Sequence, residues 1–234
     1  HADGRSGGLS TVELDGEYHD TRHGPSAASN DDPASLHGRG FGLGPRVPML
    51  VVSPWSRGGW VNSQVFDHTS VIRFLEARFG VAEPNISPWR RAVAGDLTSA
   101  FDFAGDRGSL HPDSNRHACP LPYALEAVGR MTADGEHYRL TLRNSGSAGA
   151  VLHVYDRLDL AQAPRRYTVG LGARLDDGWR LGEHGTYDLW LLGPDGFHRQ
   201  FRGDGRDAGM LEAQFVPVTS GLRLRLINHS DTPQ

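Results

Sequence analysis

The sequence contains no lysine, a single cysteine and no long apolar run, and each shortage excludes something. All 24 basic residues are arginine, and the 234-residue chain carries a net charge of -4. Without a basic excess there is little charge to neutralise phosphates, so we expect no dedicated nucleic-acid binder. Cys119 has no second cysteine with which to form an internal disulfide. No run approaches the roughly 18 apolar residues of a membrane span, so no transmembrane segment is expected.

The first forty residues are also poor in apolar side chains. Residues 1–40 are rich in Gly, Ser, Asp and His. Such a composition buries too little apolar area to offset the entropy of ordering, so a flexible segment is predicted. Its histidines and acids invite a metal-binding hypothesis, but their spacing matches no compact ligand motif, which favours a solvated loop. These residues are His19, Asp20, His23, Asp31, Asp32 and His37.

Residues 41–104 carry the pattern that ends a wound α/β domain. A short apolar run, Val47–Val52, lies between Pro45 and Pro54. Its length and composition predict a strand buried on both faces, as in a parallel sheet covered by helices. A loop rich in Trp and Gly follows, from Pro54 to Asn62.

A helix with clear ends comes next. Asp67 is a suitable N-cap, Gly80 supplies a left-handed stop, and Pro84 prevents the helix from resuming. Apolar residues recur between these ends at spacings of three and four, so they share one face of the helix. They are Val71, Ile72, Leu75 and Phe79.

Beyond a Gly- and Pro-punctuated linker at residues 105–122, the period of the pattern changes from 3.6 to 2. Tyr138, Leu140 and Leu142 alternate with polar residues, which predicts a strand with one buried face. Further strands are predicted at Ala150–Tyr155, Arg166–Leu171, Thr186–Leu192 and Phe197–Arg202, with turns between them. Short strands at this spacing favour a small antiparallel β-sandwich over residues 123–205, with Trp179, Tyr187 and Trp190 as core and rim residues.

An internal repeat indicates the start of a second β module over residues 206–234. The pattern Arg-Leu-x-Leu-x-Asn at Arg139–Asn144 recurs 84 residues later at Arg223–Asn228. Leu125–Ala127 recurs 86 residues later at Leu211–Ala213. Two matches at nearly one offset are typical of a repeated unit. A second copy that stops after its first two strands would have an unpaired edge.

The segments GPRVPMLVVSPWSRGGWVNSQVFDHTSVIRFLEARFGV and EPNISPWRRAVAGDLTSAFDF closely resemble the late part of bacterial phosphocholine-preferring phospholipases C. These enzymes are members of the phosphoesterase family, whose fold is like that of alkaline phosphatase. The resemblance continues to the last residues, where the family has two tandem β modules. It implies a hydrolase that releases phosphocholine from phosphatidylcholine or sphingomyelin at a membrane surface. It also implies a secreted or periplasmic location and leaves a divalent metal possible in the full-length parent.

The resemblance further implies that the chain is the C-terminal part of a longer protein. In the family, a region like STVELDGEYHD lies just downstream of an acidic, Gly-rich motif that helps build the active site, and this sequence lacks that motif. The chain starts at His1 without a basic-then-apolar signal segment. We therefore expect little or no activity from the chain alone.

Asp67 and His68 are the best local candidates for catalysis. They lie at a loop-to-helix junction, where free N–H groups and the helix dipole favour a phosphate. The competing interpretation is that Asp67 caps the helix while His68 packs or hydrogen-bonds nearby. The sequence leaves both open, and no metal ligands are assigned.

Trp55 and Trp60, with Trp89, are candidates for binding a quaternary ammonium headgroup through cation–π contacts. Ordinary packing of a Pro/Trp-rich loop competes with that interpretation. Arg57, Arg90 and Arg91 could meet a phosphate, although paired arginines more often lie in solvent or in salt bridges.

Three hypotheses for function remain. The first is part of a phospholipase C whose β modules assist substrate approach, membrane contact or secretion. The second is a non-catalytic β-sandwich module that binds or stabilises, attached to an α/β remnant. The third is an acid phosphatase of the same superfamily, which the tandem β modules make less favoured.

Overall fold

The described part of the chain is mainly antiparallel β-sheet, with two α-helices near its beginning. The computed structural model describes residues 8–18, 40–105, 116–205, 211–218 and 221–228. Helices α1 (His68–Phe79) and α2 (Pro88–Val93) come before the larger sheets, together with a short parallel pair, β1 (Gly59–Val61) and β2 (Arg116–Ala118). The other strands are β3 (Leu125–Met131), β4 (His137–Asn144), β5 (Ala150–Asp156), β6 (Arg165–Val169), β7 (Ala173–Arg180), β8 (Thr186–Leu192), β9 (His198–Asp204), β10 (Leu211–Val218) and β11 (Gly221–Asn228).

Seven of these strands form two antiparallel sheets that enclose one apolar core. One sheet has the order β3-β4-β7 and the other the order β6-β5-β8-β9. Leu140 and Leu142 of the first sheet belong to the same buried cluster as Leu152, Val154 and Leu191 of the second. Two sheets around a shared core are the arrangement of a β-sandwich, as the period-2 pattern predicts.

The four strands predicted after β4 are confirmed. Ala150–Tyr155 is extended by one residue in β5, and Thr186–Leu192 has the same bounds as β8. β6 ends two residues before the predicted Leu171, and β9 begins one residue after Phe197. Strand β7 completes the smaller sheet by pairing with β4, and it has no counterpart among the predicted strands.

A hydrogen-bonded polar cluster joins the two sheets next to the core. The Tyr167 hydroxyl on β6 donates to Asp177 Oδ2 on β7 at 2.6 Å, and the indole N–H of Trp179 donates to the Tyr167 hydroxyl at 3.0 Å. Arg165 pairs with Asp177 at 2.9 Å and lies 3.9 Å from the centre of the Trp179 ring. Burial and the Asp177 carboxylate raise the pKa of Tyr167 far above its usual value, so this hydroxyl stays a donor.

The prediction of a buried strand at Val47–Val52 is wrong. Residues 41–52 form no strand, and Val47, Leu50 and Val52 are 73, 90 and 94% exposed. A strand buried on both faces needs neighbouring strands and covering helices, and no other strand in the described part of the chain pairs with this run. The wound α/β sheet is thus not seen among the described residues, where β1 and β2 supply the short parallel pair.

Helix α1 begins and ends as predicted, but its apolar face is open. Asp67 is the N-cap, and Gly80 adopts a left-handed conformation with φ of 69° while its N–H bonds to Glu76. Val71, Ile72, Leu75 and Phe79 are each at least two-fifths exposed. The side of α1 that contacts the structure instead carries Ser70 and Arg73.

Several direct contacts tie the helical region to the sandwich. The indole N–H of Trp89 donates to Thr168 Oγ1 on β6 at 2.8 Å, and the N–H of Gly149 donates to the carbonyl of Ala92 at 2.8 Å. Thr168 also exchanges backbone hydrogen bonds with Leu9 and Thr11. Apart from residues 8–18 and 40, the predicted flexible segment lies outside the described residues, as do all six residues of the metal-binding hypothesis, so its flexibility stays a prediction.

Strands β10 and β11 form a separate two-stranded hairpin after the sandwich. They pair antiparallel from Leu211 opposite Asn228 to Val218 opposite Gly221. Leu222, Leu224 and Leu226 of β11 are all exposed.

We predict that Leu152→Ala destabilises the sandwich by about 3 kcal/mol, because it opens a cavity at a fully buried position. Leu171→Ala removes the same atoms from a side chain that is 66% exposed and should change stability by less than about 0.5 kcal/mol. Urea unfolding followed by near-UV circular dichroism measures both. Equal losses would contradict the location of the core.

Candidate active site

The candidate site lies at the N-terminus of α1, where Asp67 makes the first hydrogen bonds of the helix. Asp67 Oδ1 accepts from the N–H of Thr69 at 2.8 Å and from the Thr69 hydroxyl at 2.6 Å. The N–H of Asp67 donates to Ser70 Oγ at 3.0 Å, which completes a capping box. These bonds fix the carboxylate at the start of the helix.

Arg90 of α2 joins this carboxylate to two other segments. Its Nη1 donates to Asp67 Oδ2 at 3.0 Å, while Nε and Nη2 donate to the two oxygens of Glu17 at 3.1 and 3.0 Å. Nη2 also donates to the carbonyl of Gly42 at 2.8 Å. The planar guanidinium therefore holds residues near 17, 42 and 67 in one geometry, which a lysine could not reproduce.

Glu17 is the buried counterpart of Arg90 and also reaches the start of α2. It is 5% exposed and accepts a 2.6 Å hydrogen bond from the hydroxyl of Ser87, the N-cap of α2. Ser87 in turn accepts from the N–H of Arg90 at 3.0 Å. The caps of both helices are thus connected through one ion-pair network, in which Arg90 also lies 4.9 Å from the Trp89 ring.

His68 follows Asp67 as the first residue of α1, and its side chain is exposed. The structural interpretation of Asp67 is the one that the geometry supports, because both carboxylate oxygens already accept hydrogen bonds within the protein. An exposed imidazole next to a fixed carboxylate and the N–H groups of a helix terminus could still meet a phosphate. Catalysis by either residue stays a prediction.

A second arginine pair holds the end of α1. Arg91 donates to both oxygens of Glu76 at 2.8 Å and to the carbonyl of Glu83 at 2.7 Å. The hydrogen bonds from Arg91, followed by that from the Glu83 N–H, lower the pKa of Glu76 to about 2. Arg90 and Arg91, two candidates for meeting a phosphate, are therefore engaged in salt bridges in this structure.

The two tryptophans proposed for headgroup binding lie in separate ring contacts. Trp55 is half-buried, with its ring centre 5.9 Å from that of Phe103. Phe103 stacks at 5.4 Å on Phe101, which stacks at 5.0 Å on Phe74 of α1. Trp60 is mostly exposed, with its ring 5.0 Å from the imidazole of His117. Headgroup binding by Trp55 and Trp60 stays a prediction, while Trp89 is a packing residue.

The described residues lack two features that would indicate a metal site or a membrane span. They contain no group of three or more His, Cys, Asp or Glu side chains placed to hold a metal ion. Among them, no helix combines the length and the apolar character needed to cross a bilayer.

Two family models match the chain in succession. Residues 13–82, which include Glu17, Asp67 and most of α1, match the Phosphoesterase family. Residues 117–204, which contain the whole sandwich, match the bacterial phospholipase C, C-terminal domain. The chain therefore carries a segment of the Phosphoesterase family followed by a bacterial phospholipase C, C-terminal domain.

Curated bacterial phospholipases C match most of this chain. A non-hemolytic phospholipase C of Pseudomonas aeruginosa is 46% identical over 82% of the chain and 34% of its own length. A non-hemolytic phospholipase C of Burkholderia pseudomallei is 43% identical over 85% of the chain and 32% of its own length. A hemolytic phospholipase C of P. aeruginosa is 37% identical over 76% of the chain and 33% of its own length. The chain thus spans about a third of the length of these phospholipases C.

We predict that Arg90→Ala destabilises the start of α1, because it leaves the buried Glu17 carboxylate and the partly buried Asp67 carboxylate without their cation. The expected cost is about 3 kcal/mol, as for other broken buried pairs. Hydrogen exchange of the Thr69 and Ser70 amides measures it locally. The matched control is Arg143→Ala, since Arg143 forms a half-exposed 3.6 Å pair with Glu126 and should cost less than about 1 kcal/mol. Equal losses of protection in Arg90→Ala and Arg143→Ala would contradict the conclusion that Arg90 holds these segments together.

Glu76 should make the region around α1 sensitive to acid. Its folded-state pKa of about 2 lies below the ordinary 4.5, so its stabilising effect is complete above pH 4.5 and is lost as pH falls towards 2. In Glu76→Gln, the decline of stability over that window should be shallower than in the parent chain. Glu126→Gln is the control, and thermal unfolding at successive pH values is the measurement. If both variants showed the same decline of stability with pH as the parent chain, a stabilising Glu76–Arg91 ion pair would be contradicted.

Proposed function

We propose that the chain acts as the C-terminal part of a phospholipase C that hydrolyses phosphatidylcholine or sphingomyelin and releases phosphocholine. The observation that carries this proposal is the 46% identity to a phospholipase C over 82% of the chain. The reaction adds water across a phosphodiester bond, so that phosphocholine leaves from diacylglycerol or ceramide. A phospholipid surface is the corresponding partner, and secretion or a periplasmic location is the corresponding site of action.

Within this proposal, Asp67 and His68 have different roles. Asp67 is a positioning residue, because Thr69 and Arg90 occupy its two oxygens. His68 is exposed at the helix terminus and is the member of the pair able to touch a substrate phosphate. Trp55 and Trp60 would contribute aromatic surface to a headgroup. The described residues do not fit a metal site by themselves, so no step here is assigned to a metal.

The exposed apolar face of α1 supports an interaction with a larger phosphoesterase domain. The chain spans about a third of the length of its relatives. The family model that matches the sandwich is that of a C-terminal domain. We propose that the part of such relatives preceding the matched segment packs on Val71, Ile72, Leu75 and Phe79 and supplies most of the active site. Without it, the geometry needed for catalysis would not be held.

A non-catalytic binding or stabilising module is the second candidate. The observation in its favour is the sandwich, whose core is closed by its own two sheets. An acid phosphatase is less favoured, because residues 117–204 match a phospholipase C domain.

Reconstitution is the experiment that tests the proposal. We predict little phosphocholine release from phosphatidylcholine vesicles by the purified chain, with or without divalent cations. Release should appear after addition of the preceding part of the P. aeruginosa non-hemolytic enzyme, purified separately. His68→Ala should reduce the reconstituted rate by at least about 100-fold, in the range of a lost general acid or base.

Two lysine variants test the packing of α1. Leu75→Lys places a charge on the apolar face, whereas Ala77→Lys places it on an exposed position about 160° away around the helix. Only Leu75→Lys should abolish binding of the preceding part, as measured by sedimentation. If the preceding part binds but no phosphocholine is released, the phospholipase proposal is rejected, while the proposed contact with the apolar face of α1 is retained. Full activity of the chain alone would show that the preceding part is not needed for catalysis, and would reject that part of the proposal.

A further inference from the structure

A small open cleft lies between the start of β3 and the turn that joins β8 to β9. Its volume of about 250 Å³ is below the roughly 300 Å³ of the smallest pockets for drug-sized ligands, which suits a headgroup-sized ligand. Leu121, Leu125 and Pro194 contribute apolar wall. The described residues that line the cleft do not include Asp67 or His68, so it is separate from the candidate active site.

The turn between β8 and β9 fixes an acidic residue at this cleft. Asp195 and Gly196 have φ of 53° and 73°, and the N–H of Phe197 donates to the carbonyl of Pro194 at 3.1 Å. Two successive left-handed residues within such a bond form a type I′ turn, for which Asp-Gly is a preferred sequence. The Asp195 carboxylate forms no hydrogen bond or ion pair within the described part of the chain. Its backbone is therefore held in place while its charge is not neutralised.

An arginine without an acidic partner lines the same cleft. The Arg199 guanidinium lies 4.7 Å from the centre of the Phe197 ring, and its Nη1 donates to the carbonyl of His198 at 2.7 Å. These contacts orient the guanidinium and leave most of its five N–H groups for a ligand. Arg199 forms no salt bridge with a described residue, Asp195 included. Two opposite charges thus belong to one cleft without neutralising each other.

Tyr123 adds an aromatic wall that is held from outside the sandwich. Its hydroxyl accepts from the N–H of Val65 at 2.9 Å, and the carbonyl of Val65 accepts from the N–H of Gly95 at 2.9 Å. Burial, and to a smaller extent the nearby Asp195 carboxylate, raises the pKa of Tyr123, so the phenol stays neutral. An aromatic ring and an unpaired carboxylate are therefore neighbours at one side of the cleft.

We propose that this cleft binds a phosphocholine headgroup, with the trimethylammonium group against Asp195 and the Tyr123 ring and the phosphate at Arg199. A quaternary ammonium has no N–H to donate, so a carboxylate, an aromatic ring and apolar walls suit it better than a primary ammonium. A guanidinium is the matching partner for a phosphate. The choice of phosphocholine also rests on the proposed function, although the cleft contains no residue to which catalysis is assigned.

Titration of the full chain with phosphocholine, followed by NMR, tests the site. Saturable shifts are expected at the backbone amides of Gly196, Phe197 and His198 and in the ring of Tyr123. Phosphoethanolamine has N–H groups in place of the methyl groups, while choline and inorganic phosphate each lack one charge, so all three should bind more weakly. Absence of saturable shifts, or equal binding of phosphocholine and inorganic phosphate, would overturn the proposal.

Two charge variants test the two ends of the headgroup. Asp195→Asn removes the negative charge and keeps a residue that the type I′ turn favours. Arg199→Gln removes the positive charge. Each should weaken phosphocholine binding about fivefold, the upper end for a solvent-exposed charge contact. The control is Arg202→Gln, which lies on the same strand and outside the cleft, and should leave the Kd within about twofold. Unchanged affinity in both cleft variants would contradict the assignment.

An intact lipid and free phosphocholine present the same headgroup, and cosedimentation with vesicles distinguishes the two sources. Binding to phosphatidylcholine but not phosphatidylglycerol vesicles, weakened by Asp195→Asn, would mean that the cleft holds a lipid headgroup. Binding of free phosphocholine without vesicle binding would mean that it holds the released product. Both results support the site.

Phosphocholine release by the reconstituted system measures the proposed function separately. Release without headgroup binding at the cleft would reject this inference alone. Headgroup binding at the cleft without release would support this inference and reject only the catalytic proposal.

Discussion

The structure depends on one constraint, which is that each amphipathic element must cover its apolar face. The sandwich satisfies it internally, because Leu140 and Leu142 on one sheet meet Leu152 and Val154 on the other. Helix α1 does not satisfy it among the described residues, where its apolar face is exposed. Since contiguous exposed apolar surface is typical of interaction sites, the proposed partner of α1 follows from the same rule that explains the stable module.

Polar contacts hold both ends of α1, whose apolar face is exposed, next to the buried apolar residues of α2. Arg90 connects Glu17, Gly42 and Asp67, and Arg91 connects Glu76 to the loop at Glu83. A planar guanidinium with several donors can fix backbone segments that share little buried apolar area. The open face of α1 is therefore presented in a defined orientation relative to the sandwich, to which Trp89 attaches it.

Short sequence patterns correctly predicted the features that depend on residues close together in the chain. The ends of α1 follow from Asp67 and Gly80, and the alternation around Leu140 follows from a sheet with one buried face. Strand β7 escaped prediction because its centre contains Asp176, Asp177 and Gly178, which are residue types depleted in strands. Asp177 is accommodated there by partners on β6 that no local pattern could reveal.

The errors and omissions share a non-local cause. The run Val47–Val52 has the composition of a buried strand, but burial depends on neighbours that a local pattern does not contain. The ion pair between Glu17 and Arg90 spans 73 positions of sequence, so the central contact of the candidate site had no signature. Asp67 was identified as one residue with two competing roles, and only the distance to Arg90 shows how its second oxygen is used.

That second oxygen decides how the Asp67–His68 pair can work. Oδ1 accepts from the Thr69 N–H and Oδ2 accepts from the Arg90 guanidinium, so both carboxylate oxygens are already engaged within the protein. Capping and catalysis are then not alternatives for the pair as a whole. The cap immobilises Asp67, Arg90 ties that cap to α2, and the residue next to it, His68, stays exposed with a fixed backbone. Rigid support behind one accessible side chain is what a proton-transferring group requires, so the structural role of Asp67 strengthens the case for His68.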